Sequence, residues 1–479
     1  MSAWWNCKAI ITPALLLAVG GCAGSPGPEA ATRASDVLTA RTAAALGAPT
    51  ARAEASALVA ELSGTSYPTE QSHDPALAIG EAERFYRWRF DQDDGRLIRD
   101  AEQRFPGGIR FWTRIALTPA GGWSVDLDRW RTGDDLLAID ASAALQSRLN
   151  WERFFPHLLL AQASGSEVSV RGPLGFHFAD ASGAGVEVTV DPETLLPTKA
   201  AAQPANGAPP SEYRYLDYER RHGVLMPGRV QIFAGGRLQE EVRLGATSLA
   251  DISEADLSPP AGYFPPPRQG DPYAEEISPG VFFFEDMPGG YHAMAVDVGD
   301  HLILIEAPLS PAYAELQRAI LERLRPGKSV QYVLVTHHHG DHTGGLATWA
   351  TLGATMLVAD GAAVAVERQL RARGFTGDPI IEEVSGRRAF GDASNIVHAY
   401  AVASDHSAAN LIIHLPGSRL LFQGDFFYVP ERGEVPQPFP VATELRRFID
   451  TAGLDVERIA GVHGRIATAT EFDALAPRP

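Results

Sequence analysis

Residues 331–345 read QYVLVTHHHGDHTGG and carry closely spaced metal-binding side chains after an apolar, strand-like run. They form the pattern H-x-H-x-D-H, made by His337, His339, Asp341 and His342. His337 and His339 are two positions apart, so on extended backbone their side chains point to the same side. Imidazole and carboxylate groups are good zinc ligands, and this spacing therefore predicts a site for two neighbouring metal ions.

Three further candidate ligands follow the ends of later predicted strands. His406 lies in the sequence SDHS, Asp425 ends the segment LFQGD, and His463 lies in GVHG. Taken alone, each of these histidines would be read as an ordinary structural or surface residue. Their order after the H-x-H-x-D-H motif, each behind a strand, completes a longer pattern of candidate ligands.

The complete pattern resembles the metallo-β-lactamase superfamily, whose αβ/βα sandwich holds metal ions at one edge of its two sheets. The resemblance implies two zinc ions and seven ligands: His337, His339 and His406 for the first ion, Asp341, His342 and His463 for the second, and Asp425 as a bridge. The aspartate at 425 is similar to glyoxalase-II-type and lactonase sites, because some β-lactamases have cysteine or serine there. Flavodiiron-type relatives have a glutamate where this chain has His339, which argues against a redox di-iron site.

The resemblance also implies metal-assisted hydrolysis. Zinc lowers the pKa of a bound water from about 15.7 to roughly 7, which supplies a hydroxide nucleophile at neutral pH. Asp341 is the predicted catalytic residue, because its carboxylate can orient this hydroxide, and either Asp341 or a metal-bound water can protonate the leaving group. Glu306 ends the segment LILIE, and we expect it to support a metal ligand rather than to bind metal itself. The predicted substrate is a small molecule with an ester, thioester, lactone or related bond.

Composition limits the other classes of function. The chain has 479 residues, a formal net charge of −18 and 45% hydrophobic residues. This charge argues against a nucleic-acid-binding protein, which needs a basic surface to replace phosphate counterions. The two cysteines are Cys7 and Cys22, both near the amino terminus, so a metal site in the folded body has to use histidine and carboxylate.

The amino terminus resembles a bacterial lipoprotein signal. Residues 9–19 form an apolar run that is too short to span a membrane and is typical of a signal peptide. Small residues precede Cys22, so we expect a signal peptide over residues 1–21 and lipidation of Cys22. The protein is then exported to the periplasmic side, anchored to the outer membrane by its lipid and in contact with the membrane only there. Residues 22–34 are rich in Gly, Pro, Ala and Ser and are predicted to be a flexible tether.

Alternating strands and turn residues predict a mainly antiparallel β domain over residues 35–256. Within it, the composition of residues 35–46 and 52–62 favours two short helices. Residues 191–200 (DPETLLPTKA) and 213–230 (YRYLDYERRHGVLMPGRV) resemble lipoprotein-sorting-like periplasmic domains, which are unclosed β-barrels; an unrelated β-sandwich is the alternative. The proline-rich residues 257–272 are predicted to be a linker. After it, residues 273–479 change to the α/β pattern of the predicted sandwich, and the fold class is α/β preceded by a β domain. In this part a helix is predicted over residues 311–324 and strands over residues 355–359 and 396–402.

Two other functions remain open. A periplasmic β-lactamase fits the expected location, although Asp425 argues against it. The chain could instead be a lipid-anchored binding protein whose metal domain is not catalytic. The intact set of seven ligands argues against that reading, and the oligomeric state stays open.

Overall fold

The computed structural model describes residues 28–47, 57–91, 93–163, 166–205, 207–392 and 394–476, and side chains of the first helix from residue 37 onward. Cys7, Cys22 and the predicted signal peptide lie outside these residues. Among the helices of the described residues, none combines the length and the apolar character needed to cross a membrane.

The amino-terminal part of the described chain is built on one antiparallel sheet of 13 strands. The first six strands and the last seven each form a meander, and pairing of the first strand with the thirteenth joins the two. The strands are β1 (Ala57–Ser66), β2 (Ala82–Asp91), β3 (Arg96–Arg104), β4 (Arg110–Thr118), β5 (Gly121–Asp126), β6 (Leu137–Ile139), β7 (Ser169–Val170), β8 (Gly175–Ala179), β9 (Gly185–Val190), β10 (Pro197–Gln203), β11 (Ser211–Arg221), β12 (Val224–Ala234) and β13 (Arg237–Ala250). In the order of this sheet, β6 and β7 are the two ends.

Alternation along the strands places one face of this sheet against helices. In β2, Tyr86, Trp88 and Phe90 are buried while Arg87 is exposed, which is the period of two expected for a strand. Leu38 of the first helix and Leu159 of the third belong to the same core as Trp88. The helices here are α1 (Pro28–Leu46), α2 (Ala141–Glu152), α3 (Pro156–Ala163) and α4 (Glu254–Leu257).

Two sequence-based expectations for this region are wrong. The predicted tether over residues 22–34 is helical from Pro28 onward, because proline is tolerated in a first helical turn and the alanines that follow favour a helix. The helix expected over residues 52–62 is replaced, in its described part, by β1. Pairing of β1 with β2 on one side and β13 on the other overrides its helix-friendly composition.

The carboxy-terminal part is the predicted αβ/βα sandwich, with a mixed sheet of 7 strands and another of 6 within the described residues. The first sheet contains β14 (Tyr273–Ser278), β15 (Val281–Glu285), β16 (Met294–Asp297), β17 (Leu302–Ile305), β18 (Val330–Leu334), β19 (Thr355–Ala359) and β20 (Ile381–Val384). The second contains β21 (Arg387–Gly391), β22 (Ile396–Val402), β23 (Asn410–Leu415), β24 (Leu420–Gln423), β25 (Arg458–Gly461) and β26 (Ala467–Thr468). Residues of both sheets share one apolar core, so the sheets pack face to face.

Helices cover the outer faces of the sandwich. They are α5 (Pro311–Leu324), α6 (Gly340–Thr343), α7 (Leu346–Thr351), α8 (Ala363–Ala372), α9 (Ala442–Ala452) and α10 (Ala469–Leu475). Helix α5 matches its predicted bounds: the Ser310 side chain accepts a hydrogen bond from the Tyr313 backbone N–H, and Pro311 occupies the first turn. Strand β17 runs parallel to β18, and β24 runs parallel to β25, so the ends of these strands place the loops that follow them at shared sheet edges.

The two parts are joined by a packed interface. Ile109 and Trp130, from the amino-terminal sheet, belong to the same apolar cluster as Phe439 and the residues of α9. Glu70 forms an ion pair of 2.6 Å with Arg373, and its carbonyl accepts a hydrogen bond from the Gly340 N–H. The β1–β2 loop therefore lies on the segment that carries the H-x-H-x-D-H motif.

Candidate metal centre

The seven candidate ligands come together at one edge of the sandwich, although they belong to four different segments. The motif follows β18, and its Asp341 and His342 lie in the short helix α6. His406 precedes β23, Asp425 follows β24, and His463 follows β25. The loops at these strand ends therefore bring together the side chains that the sequence pattern singled out.

The ligand atoms form two groups, within each of which they lie no more than 4.8 Å from one another. The first group contains His337, His339, His406 and Asp425, and the second contains Asp341, His342 and His463. The six residues other than Asp425 are grouped as the resemblance implied, and Asp425, expected as a bridge, falls in the first group. His338, out of phase with its neighbours, faces Ser72 and Ser407 instead, with its ring nitrogens 3.4 Å from each hydroxyl.

The Asp425 carboxylate lies between the two groups. Its Oδ2 atom is 3.4 Å from His406 Nε2 and 3.9 Å from His337 Nε2. Its Oδ1 atom is 3.3 Å from His342 Nε2 and 3.5 Å from His463 Nε2. One oxygen therefore faces each group, which is the arrangement that a bridging carboxylate requires.

Several buried polar atoms that have no hydrogen-bond partner among the described residues point into the cluster, which is unusual because such atoms are normally satisfied. They are His337 Nε2, His339 Nδ1, His342 Nε2, His406 Nε2 and Asp425 Oδ1. A metal ion satisfies nitrogen and oxygen lone pairs of this kind, and none of the ligands here is a thiolate. The residues present therefore fit a metal site.

The electrostatics of the cluster also favour a cation. Burial, together with the neighbouring His342, holds the pKa of His337 well below its usual value, so this imidazole is neutral and has a free lone pair. Burial alone would lower the pKa of His342, but the carboxylates of Asp425, Asp341 and Glu306 raise it well above its usual value. Carboxylates that stabilise positive charge on His342 in this way would equally stabilise a metal ion beside it.

Glu306 holds His342 from the side opposite the cluster. Its carboxylate is fully buried, lies 3.2 Å from His342 Nδ1 and accepts a 2.6 Å hydrogen bond from the Thr336 backbone N–H. Glu306 has a positive φ of 74°, so a non-glycine residue occupies the left-handed region at this point. It belongs to neither ligand group and orients a candidate ligand instead.

Two other histidines are oriented by the amino-terminal sheet, which the sequence did not reveal. His339 Nε2 lies 3.0 Å from the Ser72 carbonyl, and His406 Nδ1 lies 3.3 Å from the Pro106 carbonyl. These contacts place the protons on the outward nitrogens and leave the inward ones free. Any residue can offer a backbone carbonyl, so no side-chain signal marked these positions.

Asp341 is fixed by two side chains that donate to its two oxygens. Gln71 Nε2 donates to Oδ1 at 2.6 Å, and the Tyr291 hydroxyl donates to Oδ2 at 2.8 Å. The Tyr291 ring also packs edge-on against His463, with centroids 4.4 Å apart. Burial and the charge of Asp425 raise the pKa of Tyr428, whose ring contacts His463 from another side.

Comparison with known proteins agrees with this geometry. Residues 286–463 match the family model described as the Metallo-beta-lactamase superfamily. Members of this superfamily are mostly hydrolases, although the flavodiiron proteins are not. A comparison with curated proteins gives no match.

The solved structures that are similar to this chain align with less than half of it. A metallo-beta-lactamase from Pontibacter korlensis is 18% identical and covers 44% of this chain and 100% of its own, with a TM-score of 0.34. The stereoselective inverting sec-alkylsulfatase Pisa1 from Pseudomonas sp. is 15% identical and covers 42% of this chain and 39% of its own, with a TM-score of 0.33. The flavodiiron core of Flv1 from Synechocystis sp. PCC6803 is 15% identical and covers 43% of this chain and 59% of its own, with a TM-score of 0.36.

The family match, the sandwich and the histidine–aspartate cluster at its edge agree with one another. The carboxy-terminal part of this chain carries a metallo-beta-lactamase superfamily domain at residues 286–463.

Proposed function

We propose that the protein is a binuclear zinc-dependent hydrolase of a small molecule with an ester, thioester, lactone or related bond. The observation that carries the proposal is the set of inward-facing, unpaired ligand atoms on His337, His339, His342, His406 and Asp425. A cluster that served only to stabilise the fold would satisfy such atoms internally.

The donor set suits zinc, and the arrangement suits two ions. His337, His339 and His406 would hold one, Asp341, His342 and His463 the other, and Asp425 would contact both. Zinc bound there would act as a Lewis acid and make water available as a nucleophile at neutral pH. The bridging aspartate supports a glyoxalase-II-like assignment over a β-lactamase.

Asp341 is the residue we assign to proton handling. Although burial alone would raise the pKa of Asp341, the neighbouring His342 holds it below its usual value, so the carboxylate is ionised and can accept a proton. Gln71 and Tyr291 fix the orientation of this carboxylate. A preorganised base of this kind can take a proton from water and return it to a leaving group with little rearrangement.

The remaining proposals concern location and partners. An exported lipoprotein, anchored at the outer membrane through Cys22, would meet small-molecule substrates on the periplasmic side. The net charge of −18 supports the absence of a nucleic-acid partner. The amino-terminal sheet has its two ends at β6 and β7, which supports the proposed likeness to unclosed lipoprotein-sorting-like barrels.

A hydrolysis screen on the zinc-loaded protein tests the proposed function. The panel contains a thioester, an aryl ester, a lactone, a β-lactam and a phosphodiester. We expect turnover of at least one of the first three, loss of that turnover in Asp425→Ala, and no change in Asp378→Ala, an exposed aspartate outside the cluster. Turnover of the β-lactam alone would favour the β-lactamase alternative, and no turnover by a protein that holds zinc would contradict the proposal.

A further inference from the structure

The cavity above the metal centre has walls from both parts of the chain. It has a volume of about 340 Å³, and its floor is formed by candidate ligands that include Asp341, Asp425 and His463. The opposite wall consists of residues of the amino-terminal part, above all Phe111 of β4 and, from the β3–β4 and β5–β6 loops, Phe105, Ile109, Trp130 and Arg131. A substrate that reaches the metal centre therefore lies against both.

This second wall is held firmly against the sandwich. Trp130 is buried and packs on Phe439 with ring centroids 4.4 Å apart. Gly107, in the β3–β4 loop, has a φ of +78°, and a Cβ atom there would lie 2.9 Å from the His406 backbone nitrogen. The backbone at Gly107 thus approaches His406 more closely than a residue with a side chain would allow. The Gly107 carbonyl also accepts a hydrogen bond from the Val441 N–H.

The wall offers an apolar, aromatic surface to the cavity. Phe105 and Phe111 are both half-buried and pack edge to face, with centroids 5.5 Å apart. Ile109 lies between them in sequence and is buried. Aromatic faces that remain partly exposed beside a reaction centre favour a flat or apolar group on the ligand.

Among the described residues of this wall, Arg131 is the charged side chain that lines the cavity. Its guanidinium stacks over the Phe111 ring at 4.9 Å, and within the described ranges it makes no ion pair with a carboxylate. The neighbouring arginines Arg110 and Arg114, in contrast, are paired with Asp128 and Asp100. The carboxylates that line the cavity, Asp341 and Asp425, belong to the ligand cluster.

We propose that the amino-terminal part of the chain forms the specificity wall of the active site, where Arg131 binds an anionic group of a substrate whose apolar body lies on Phe105 and Phe111. This inference rests on the proposed function and adds a substrate class to it: amphipathic anions. The amino-terminal part of the chain is then a component of the catalytic cavity. A guanidinium stacked on a ring is well suited to this role, because it is weakly hydrated and presents a planar set of donors to an oxyanion.

Calorimetry with two probes of the same shape tests the inference without requiring turnover. Naphthalene-2-sulfonate carries an anion that is a poor zinc ligand, and methyl 2-naphthyl sulfone is its neutral counterpart. On the zinc-loaded protein we expect the sulfonate to bind at least tenfold more tightly. Arg131→Gln should remove that difference, while Arg131→Lys keeps part of it, because one charge-assisted hydrogen bond corresponds to about tenfold or more in affinity.

Controls separate this inference from the proposed function. Arg171→Gln removes an arginine from another loop of the amino-terminal part, one that does not line the cavity, and it should leave both affinities unchanged. Zinc content and the unfolding midpoint of Arg131→Gln should equal those of the parent. Equal binding of the two probes, binding of neither, or equal weakening of both by Arg131→Gln overturns the inference. The hydrolysis screen fails or succeeds independently of these affinities.

Discussion

Replacing Glu306 by glutamine isolates the part that this residue plays in holding the metal centre. The glutamate is fully buried, and each of its oxygens accepts from a different donor: Oε1 from the Thr336 N–H at 2.6 Å, and Oε2 from His342 Nδ1 at 3.2 Å. Glutamine has nearly the same size but offers only one acceptor oxygen, and its NH₂ group donates. One of the two donors must therefore face the amide without an acceptor.

The size of the effect follows from this count of donors and acceptors. A buried donor that loses its acceptor costs about 1–3 kcal/mol, so the unfolding free energy of the metal-free Glu306→Gln protein should fall by that amount. His342 also loses the partner that orients its ring. Because a hydrogen bond that orients a ligand changes metal affinity by about 10- to 100-fold, binding of the zinc ion next to His342 should weaken by that factor.

Urea unfolding of the metal-free protein and chelator competition for zinc measure the two effects separately. Glu187→Gln, at an exposed position of β9, is the matched control and should leave both quantities unchanged. A Glu306→Gln protein with the parent's zinc affinity would refute the assignment of Glu306 as the group that orients His342.

Substitutions at four other positions test the metal centre, the buried His157 and the lipid anchor. Asp425→Ala should lose at least one of two zinc ions and most turnover, whereas Asp425→Ser should keep some zinc without native turnover; full zinc and unchanged rates in both variants would exclude a bridging role. Gln71→Ala removes the 2.6 Å hydrogen bond to Asp341, so we expect zinc binding, measured by chelator competition, to weaken by about tenfold. An unchanged zinc affinity would count against Gln71 as the residue that orients Asp341. Burial lowers the pKa of His157 from its ordinary 6.5 to about 4, so the unfolded chain binds a proton there first as the pH falls. The unfolding free energy should then drop by up to about 3 kcal/mol between pH 6.5 and pH 4, and His157→Gln should lack that part of the slope in urea unfolding. The Cys22→Ser protein should no longer be found in the membrane fraction after cell fractionation. A processed variant that still sediments with membranes would contradict the lipid anchor.

Much of the carboxy-terminal domain was predictable because its local patterns agree with its tertiary structure. Helix α5 and strands β19 and β22 have the predicted bounds. Ser310 and Pro311 mark the start of the helix, and the turn residues Gly353 and Asn395 come just before the two strands. The H-x-H-x-D-H motif was informative for the same reason: a strand and a turn are enough to bring its side chains together.

Features that depend on distant parts of the chain were not predictable from local patterns. The composition of residues 52–62 favours a helix, yet β1 is the central strand that joins the two meanders of the amino-terminal sheet. The carbonyls of Ser72 and Pro106 orient His339 and His406 across more than half the chain, and they have no sequence signature. Arg131 resembles any other arginine of a polar turn until the fold places it over the metal centre.

We propose that this edge of the sandwich holds two zinc ions that support hydrolysis. Titrating the metal-free protein with zinc, while bound metal and ester hydrolysis are recorded on the same samples, measures both properties together. We expect saturation at two zinc ions per chain, with turnover that reaches its plateau as the second ion binds. A protein that binds no zinc, or one whose hydrolysis is the same with and without bound zinc, would contradict it.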